Sequence, residues 1–164
     1  MKAKEAGYVL SVDQASNAAG VSLWLDGTLI ATTVLTSKAA GDPFSRRIQG
    51  QLDQLNTFIN LHVPADIIIT KVIFEGVRSR LVMIVAGAFL TCPRIDAKIS
   101  EKHNFIESSS WKNYARARGA IGTFKDIKGV KALQECGWDF VKYPIVSDDI
   151  ADSVLMYLTW ATRP

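Results

Sequence analysis

Four acidic residues stand where predicted strands and a helix begin or end, and their types and spacing could support chemistry. Asp13 follows the first apolar run, and Glu75 follows the longest buried one. Asp149 and Asp152 are three residues apart near the start of the last helical segment, so they share one helix face, away from its apolar residues. If the two strands are neighbours in a sheet, all four carboxylates meet in one cleft.

Such a cluster needs positive charge or protons. Two like charges about 4 Å apart repel by roughly 4 kcal/mol at an effective dielectric constant near 20. Oxygen ligands with no nearby histidine or cysteine favour Mg²⁺ or Mn²⁺ over zinc. Two such ions, roughly 3.5 to 4 Å apart, activate a water and stabilise the leaving oxygen of a phosphodiester. The pattern predicts metal-assisted phosphodiester hydrolysis.

Each acid also has a purely structural explanation. Asp13 suits a turn, Glu75 suits a loop cap, and acids in the first turn of a helix are favoured by the helix dipole. Asp148 falls outside the four-acid pattern and is interpreted as a helix-start residue or an outer acid. The combination of the four, and not any single acid, carries the hypothesis of a shared site.

The segment from Lys112 to Lys142 is basic, with seven lysines and arginines against three acidic residues, and aromatic residues lie between them. Lysine and arginine neutralise phosphates without reading sequence, so the segment predicts salt-sensitive, mainly structure-directed nucleic-acid binding. A solvated loop and helix face is the alternative interpretation. The whole chain carries a formal charge of only +3, which does not decide between them.

The elements that must position these residues begin with three strands. Tyr8–Val12 is a short apolar run, Val21–Leu25 alternates, and Thr28–Leu35 is rich in β-branched residues. Asp26 and Gly27 form a strong hairpin signal between the second and third runs. The pattern predicts an antiparallel meander that ends its first strand at Asp13.

Helices and further strands follow the meander. Asp42-Pro43 begins an amphipathic helix that ends at Pro64. The later predicted elements are a central strand at Ile67–Phe74, an apolar helix at Arg78–Thr91, a short strand at Asn104–Glu107, a helix at about Thr123–Glu135 and a helix at Asp148 to about Ala161, capped by Ser147. This order predicts an α/β fold with a mixed five-stranded sheet and helices on both faces, an RNase H-like arrangement.

Length and composition fit a single domain over residues 1–164. Hydrophobic residues make up 48% and charged residues 21%, which is typical of a soluble globular protein. The apolar stretch Leu81–Pro93 is shorter than the roughly 18 residues that a membrane span needs. Two cysteines are too few for a disulfide framework, so we expect a reduced, cytoplasmic setting in a bacterial cell or a phage-infected host.

Three spaced motifs give the sequence its resemblance to a known family. Asp13-Gln14-Ala15-Ser16, with Gly20 and the strand after it, resembles the first motif of the RuvC-family Holliday junction resolvases of the RNase H-like superfamily. Ile73-Phe74-Glu75-Gly76 is similar to their second motif, and Asp149-Ile150-Ala151-Asp152 to their third. The resemblance covers about Tyr8 to Trp160, and the short chain is typical of a bacteriophage or bacterial enzyme.

The resemblance implies a site and an activity. Asp13, Glu75, Asp149 and Asp152 match ligands of two Mg²⁺ ions, for which Mn²⁺ substitutes, and Lys112 is the best match to a lysine on the catalytic side. It also implies a homodimer that nicks symmetric strands of a four-way junction, with the apolar Leu81–Leu90 helix as part of the interface or, equally, as an internal core helix. The residues predicted to bind DNA are Arg78, Arg80, Lys112, Arg116, Arg118, Lys125 and Lys128.

One departure from the family lies just after Glu75. The bacterial resolvases have an aromatic residue there that probes the junction centre, whereas the segment from Gly76 to Arg80 has no ring. Arg78 and Arg80 are the candidates to replace it at the crossover. The selectivity among four-way, flap and other branched substrates is therefore not predicted by the resemblance.

Two other functions stay open at this point. One is another RNase H-like nuclease that acts on flap or branched DNA or on RNA. Exonucleases of the superfamily place Asp-x-Glu on the first strand, which Asp13-Gln14-Ala15 does not match, and RNase H places a glutamate on the first helix. The other is a non-catalytic module that binds branched DNA. A glycine-rich phosphate loop and a nucleophile elbow are both missing from the sequence, so we expect no nucleotide cofactor.

Overall fold

The computed structural model of the chain describes residues 7–15, 17–37, 43–76, 79–97 and 104–163. Its strands and helices, in chain order, are β1 (Tyr8–Asp13), β2 (Ala18–Leu25), β3 (Thr28–Thr36), α1 (Phe44–His62), β4 (Lys71–Gly76), α2 (Arg80–Phe89), β5 (Phe105–Glu107), α3 (Ser108–Arg116), α4 (Gly129–Glu135) and α5 (Asp148–Ala161). Asp42, predicted to help begin the first helix, lies outside the described residues, and α1 begins directly after Pro43.

The five strands form one mixed sheet in the order β3-β2-β1-β4-β5. β1, β2 and β3 form the predicted antiparallel meander, and β4 and β5 run parallel to β1. Asp26 and Gly27 both have positive φ angles, 50° and 84°. Two successive positive φ angles are typical of the two-residue turn that joins paired antiparallel strands. This sheet confirms the predicted fold class.

Helices cover both faces of the sheet. α1 and α2 pack on one face, in a core that contains Leu10, Val12 and Phe74. α3, α4 and α5 pack on the other face, in a core that contains Val9 and Ile73. Because successive strand residues point to opposite faces, the odd-numbered residues of β1 and β4 face α5.

α5 is held closely against the centre of the sheet. The buried hydroxyl of Ser11 on β1 donates a hydrogen bond of 2.7 Å to the carbonyl oxygen of Ser153 on α5. Trp24 on β2 stacks on Tyr157, with 3.8 Å between the ring centroids. Ser147 caps the helix as predicted, since its side chain accepts the N–H of Ile150. The contacts with Ser11 and Trp24 fix the position of α5 relative to strands β1 and β2.

The predicted start of the central strand was wrong. β4 begins at Lys71, whereas Ile67 and Ile68 precede it with exposed side chains. The N–H of Ile67 donates to the carbonyl oxygen of Pro64 in a turn, which keeps this part of the apolar run out of the sheet. Val72, Ile73 and Phe74 are nevertheless fully buried, as expected for a central strand.

The region after β5 also differs from the prediction. α3 was missed, and α4 begins only at Gly129, because a local turn at residues 124–126 comes before it. In that turn the carboxylate of Asp126 accepts hydrogen bonds from the N–H and the hydroxyl of Thr123, each 2.8 Å long. Side chains that bind nearby backbone groups compete with helix formation in this way.

α2 is shorter than predicted, from Arg80 to Phe89, and it is not covered on every side. Val85, Ala86 and Phe89 enter the core, but Leu81, Met83 and Ile84 are exposed. Among the described residues, none of the helices combines the length and the apolar character that a bilayer crossing requires. Cys92 is buried and Cys136 is half-buried, and both are free thiols.

Candidate active site

Asp13 and Glu75 lie at the same edge of the sheet. Asp13 is the last residue of β1 and Glu75 the last but one of β4, and the last pair between these two parallel strands is Val12 and Phe74. By the alternation of the strands, Asp13 lies on the face of Ser11, and Glu75 on the face of Ile73, so both face α5. The two carboxyl groups are close enough for Glu75 to raise the pKa of Asp13. The pairing predicted from the sequence is therefore present.

Gln14 fixes the position of Glu75 relative to Asp13. Its buried side-chain amide donates to the carbonyl oxygen of Glu75 at 2.8 Å and accepts the N–H of Glu75 at 3.0 Å. The amide thereby extends the β1–β4 pairing beyond Val12. On the other side of the loop, Gln51 of α1 donates to the carbonyl oxygen of Ala15 at 3.0 Å. The segment after Asp13 is held from two elements.

Gly20 lets α5 approach the sheet closely enough to bring Asp149 to this edge. Gly20 is paired with Asp13 across β1 and β2, so it lies on the same face. A Cβ atom at Gly20 would stand 1.9 Å from the carbonyl oxygen of Asp149 and 2.6 Å from the backbone nitrogen of Ile150. Only a residue without a side chain allows this contact.

Asp152 and Asp148 bind the first residues of α4. Asp152 Oδ1 accepts the N–H of Gly129 at 2.7 Å, and Asp148 Oδ1 accepts the N–H of Val130 at 2.9 Å. Gly129 has a φ of +67°, and a Cβ there would meet the Asp148 carboxylate at 2.2 Å. Asp148, outside the four-acid pattern, thus positions α4 beside the site.

The pKa values of three of the acids are raised, which means that the site disfavours their ionised forms. Burial, the hydrogen bond with Glu75 and the charges of Glu75, Asp152 and Asp149 raise the pKa of Asp13 to about 9. Burial, opposed by the Gly129 N–H, raises the pKa of Asp152 to about 6. Burial and the charge of Asp148 raise the pKa of Asp149. The four carboxyl groups therefore form one electrostatic unit.

No positive charge neutralises this unit in the described part of the chain. The principal causes of the Asp13 and Asp152 shifts include no lysine or arginine, and none of the four acids takes part in an ion pair there. Within the same residues, no three histidine, cysteine, aspartate or glutamate side chains are grouped so that they could hold one metal ion. The raised pKa of Asp13 favours its neutral, protonated form.

The donor set is still of the kind that fits a hard divalent cation. All four groups are carboxyls, they come from three elements at one edge, and none of them forms an ion pair with a lysine or arginine of the described residues. A cation that displaces the Asp13 proton would relieve the repulsion that raises these pKa values. Holding it requires the carboxylates to turn towards a common point.

Lys112 does not lie among the charges that act on the acids. Its ammonium group donates to the carbonyl oxygen of Phe124 and stands 5.3 Å from the centroid of the Trp111 ring. Its predicted catalytic role stays a prediction. Lys125 and Lys128 are exposed, and Lys128 directly precedes Gly129, whose N–H binds Asp152.

The other predicted DNA-binding residues are spread over the surface. Arg116 donates to the carbonyl oxygen of Gly122, and Arg118 stacks over the Tyr114 ring at 3.6 Å. The charge of Arg118 also acts on Cys136, at the end of α4 opposite Gly129. Arg80 is exposed at the first turn of α2. Arg78 lies outside the described residues.

Three residues help to shape the site in ways that the sequence did not predict. Gln14 and Gly20 were part of the first motif, but only the structure shows that one clamps Glu75 and the other admits α5. Gly129 gave no signal beyond a glycine in a basic segment. Its contact with Asp152 joins residues 23 positions apart, which no local pattern reveals.

Similarity to known proteins was found by comparing structures and not by comparing sequences. No family model and no curated protein matches the sequence. The fold is similar to "T. thermophilus RuvC in complex with Holliday junction substrate", with a TM-score of 0.56 and 13% identity over 93% of this chain and 91% of that chain. It is similar to "Thermus thermophilus RuvC structure", with a TM-score of 0.58 and 15% identity over 93% and 92% of the two chains.

The chain therefore has a RuvC-like fold over almost its whole described length, which confirms the family resemblance at the level of the fold. The RNase H-like sheet predicted from the order of the elements is part of the same finding. A bacteriophage origin receives no support from these structures and stays a prediction.

Proposed function

We propose that this protein is a metal-dependent, structure-selective DNA endonuclease that resolves four-way junctions by paired symmetric nicks. The proposal is supported by the charges of Glu75, Asp152 and Asp149, which act on Asp13 at one edge of the sheet, and by the lack of an ion pair to these acids among the residues that the structure describes. A binding surface for a polyanion gains nothing from such a group. A metal-assisted phosphodiester hydrolase requires one.

The four carboxylates are the proposed holders of two Mg²⁺ ions, for which Mn²⁺ substitutes. The ions, when bound, supply an activated water and stabilise the leaving oxygen of the phosphodiester. Asp13 would hold a cation in its deprotonated form, Gln14 keeps Glu75 beside Asp13, and Asp148 holds α4 against α5. The chain's own residues thus set the geometry into which the ions fit.

Branched DNA is the proposed partner because the fold and the charge distribution agree. One structure with the same fold is a RuvC protein in complex with a Holliday junction substrate. In this chain, exposed Lys125 and Lys128 lie on the segment that leads into the site at Gly129. Cations at this place would bind phosphates on both sides of the cut without reading sequence.

A second copy of the chain is the proposed cover of the exposed face of α2. Leu81, Met83 and Ile84 form an apolar patch on one helix, and such patches mark interaction surfaces. Gly87, with open space around it, would let a second helix approach closely. Paired nicks in symmetric strands require two sites, which a symmetric dimer supplies.

The test is a nicking assay on a synthetic four-way junction, a flap, a linear duplex and an RNA hybrid, with and without Mg²⁺. We expect Mg²⁺-dependent, paired nicks in the four-way junction. Asp149→Asn should lower the cleavage rate by at least about a hundredfold and leave junction binding nearly unchanged, because it weakens the hold on the ions more than the contact with DNA.

Asp66→Asn is the matched control, since Asp66 is an exposed acid in a turn away from the site. Retained cleavage by Asp149→Asn would remove Asp149 from the site. Preferred cleavage of the RNA hybrid or the flap would assign the protein to another RNase H-like activity. Junction binding by the wild-type protein with no cleavage of any substrate would identify a binding module.

A further inference from the structure

The loop between α3 and α4, residues 117–128, is tightly held although it lies on the surface. Lys112 donates to the carbonyl oxygen of Phe124, and Arg116 donates to that of Gly122 at 3.2 Å. The N–H of Ile121 donates to the carboxylate of Glu135 at 2.9 Å. Two of the cations predicted to bind DNA therefore fix the shape of this loop.

Buried anchors hold the same loop from below. Ala120 and Ile127 are in the core with α3, α4 and α5, on either side of the Thr123–Asp126 turn. The backbone between these anchors is therefore held at both ends and by the turn itself.

Within this fixed loop, two large apolar side chains point outward. Ile121 is 71% exposed and Phe124 is 41% exposed, and we call the pair the apolar tip. A well-held loop that leaves its largest apolar residues in water loses the free energy that their burial would provide. This arrangement suits a surface that a partner covers.

The surroundings of the apolar tip indicate a polyanion with flat apolar faces. Arg116 lies over the Phe124 ring at 4.7 Å, and Lys125 and Lys128, one and four residues further along the chain, are exposed. Nucleic acid combines phosphates, which bind the cations, with bases, which stack on aromatic and apolar side chains. A purely apolar protein partner would leave these cations without partners.

The apolar tip is also within reach of the proposed cleavage site. Phe124 precedes Gly129 by five residues, and the N–H of Gly129 binds Asp152 at 2.7 Å. Five residues span at most about 17 Å, and one strand of a DNA duplex rises about 3.4 Å along the helix axis per nucleotide. A base that contacts the apolar tip is therefore within about five nucleotides of the cut.

We propose that the apolar tip, Ile121 and Phe124, contacts an unstacked nucleobase beside the scissile phosphate and thereby determines which junction positions are cut. The inference rests on the proposed nuclease function and adds a specificity-determining surface to it. Phe124 supplies the stacking face, held by Arg116 and Lys112, and Ile121 fills the gap that an unstacked base leaves.

The experiment measures binding and cleavage of four-way junctions that carry 2-aminopurine at successive positions near the branch. With the wild-type protein, we expect the fluorescence to change at one or two positions where a base contacts the tip. Phe124→Leu removes the ring and Ile121→Ser removes the apolar side chain. Each should weaken binding by about tenfold and redistribute the nicks among positions.

The salt dependence separates base contacts from phosphate contacts. Neither tip variant should change the slope of log affinity against log salt, because neither removes a charge. The double variant Lys125→Ala, Lys128→Ala should lower that slope by about two. Leu61→Ser is the matched control, since Leu61 is an exposed apolar residue on α1, across the sheet, and should change nothing.

The outcomes distinguish the inference from the function on which it rests. If the wild-type protein nicks junctions but both tip variants keep its fluorescence pattern and nick positions, the apolar tip has no role and the nuclease proposal stands. If one of the two variants does not fold, the fluorescence pattern and nick positions of the other variant still test the role of the apolar tip. If the wild-type protein neither binds nor nicks any junction, the proposed function fails first.

Discussion

Asp13 shows how the chemistry of this site depends on a single side chain. It ends the first strand among three other carboxyl groups, and burial together with their charges keeps its proton at neutral pH. The same proton is what a metal ion must displace. Metal binding to the site is therefore expected to release a proton and to strengthen as the pH rises.

The raised pKa of Asp13 predicts a pH-dependent stability for the metal-free protein. The unfolded chain loses this proton near pH 3.8 and the folded protein near pH 9. Between these values the folded state binds more protons, so the free energy of unfolding falls as the pH rises, by about 1.4 kcal/mol per pH unit for one group. Asp152 acts in the same direction up to about pH 6.

Thermal unfolding in a chelator from pH 6 to pH 9 tests this prediction. The wild-type protein should lose stability over the interval, and Asp13→Asn, which cannot ionise, should lose less. Added Mg²⁺ should restore the stability of the wild-type protein most at the alkaline end. Parallel curves for the two proteins would show that Asp13 titrates normally.

At the scale of elements, the site depends on how closely α5 lies on the sheet. Gly20 on β2 meets the first turn of α5, and Ser11 on β1 binds the backbone of Ser153. The first contact brings Asp149 to the edge, and the second fixes the helix along its axis. The distance between a helix and a sheet, more than any loop, sets the geometry of this site.

Gly20→Ala tests this dependence. The new methyl group would overlap the Asp149 carbonyl, so we expect a loss of about 1–3 kcal/mol in stability and a strong loss of cleavage. Gly50→Ala is the control, because Gly50 is a helical position on α1 with open space around it. It should keep full cleavage and gain up to about 1 kcal/mol. Unimpaired cleavage by Gly20→Ala would mean that α5 does not position Asp149.

The elements also show what a sequence can and cannot predict. The Asp26-Gly27 turn and the Ser147 cap are local signals, and the structure confirms both. α3 begins with Ser108, and only Trp111 and Ala115 of that helix are buried, so its apolar periodicity is too weak to detect. The approach of Gly20 to Asp149 depends on packing between distant segments, which no spacing encodes.

At the scale of the whole molecule, the exposed face of α2 predicts a dimer. The sequence predicts this apolar helix as part of an interface or as an internal core helix, and Leu81, Met83 and Ile84 are exposed in the single chain. Light scattering at micromolar concentration should give about twice the 18.0 kDa of one chain. Ile84→Lys should shift the protein to the monomer, because it places a charge in an apolar contact.

Val141→Lys is the control for this measurement, since Val141 is an exposed apolar residue in the loop between α4 and α5. It should leave the dimer intact. The Ile84→Lys monomer should still make single nicks but lose their pairing. A wild-type monomer at these concentrations would count against symmetric resolution and leave the carboxylate site unaffected.

The bond between Ser11 and Ser153 joins residues 142 positions apart, and the candidate site likewise combines β1 with α5. During synthesis on the ribosome, β1 is made early, and its contact with α5 can form only after α5 has also been made. A nascent or truncated chain that lacks α5 has two of the four acids and no closed second core. The proposed cleavage site is therefore complete only after Asp152 has been synthesised and α5 has packed on the sheet.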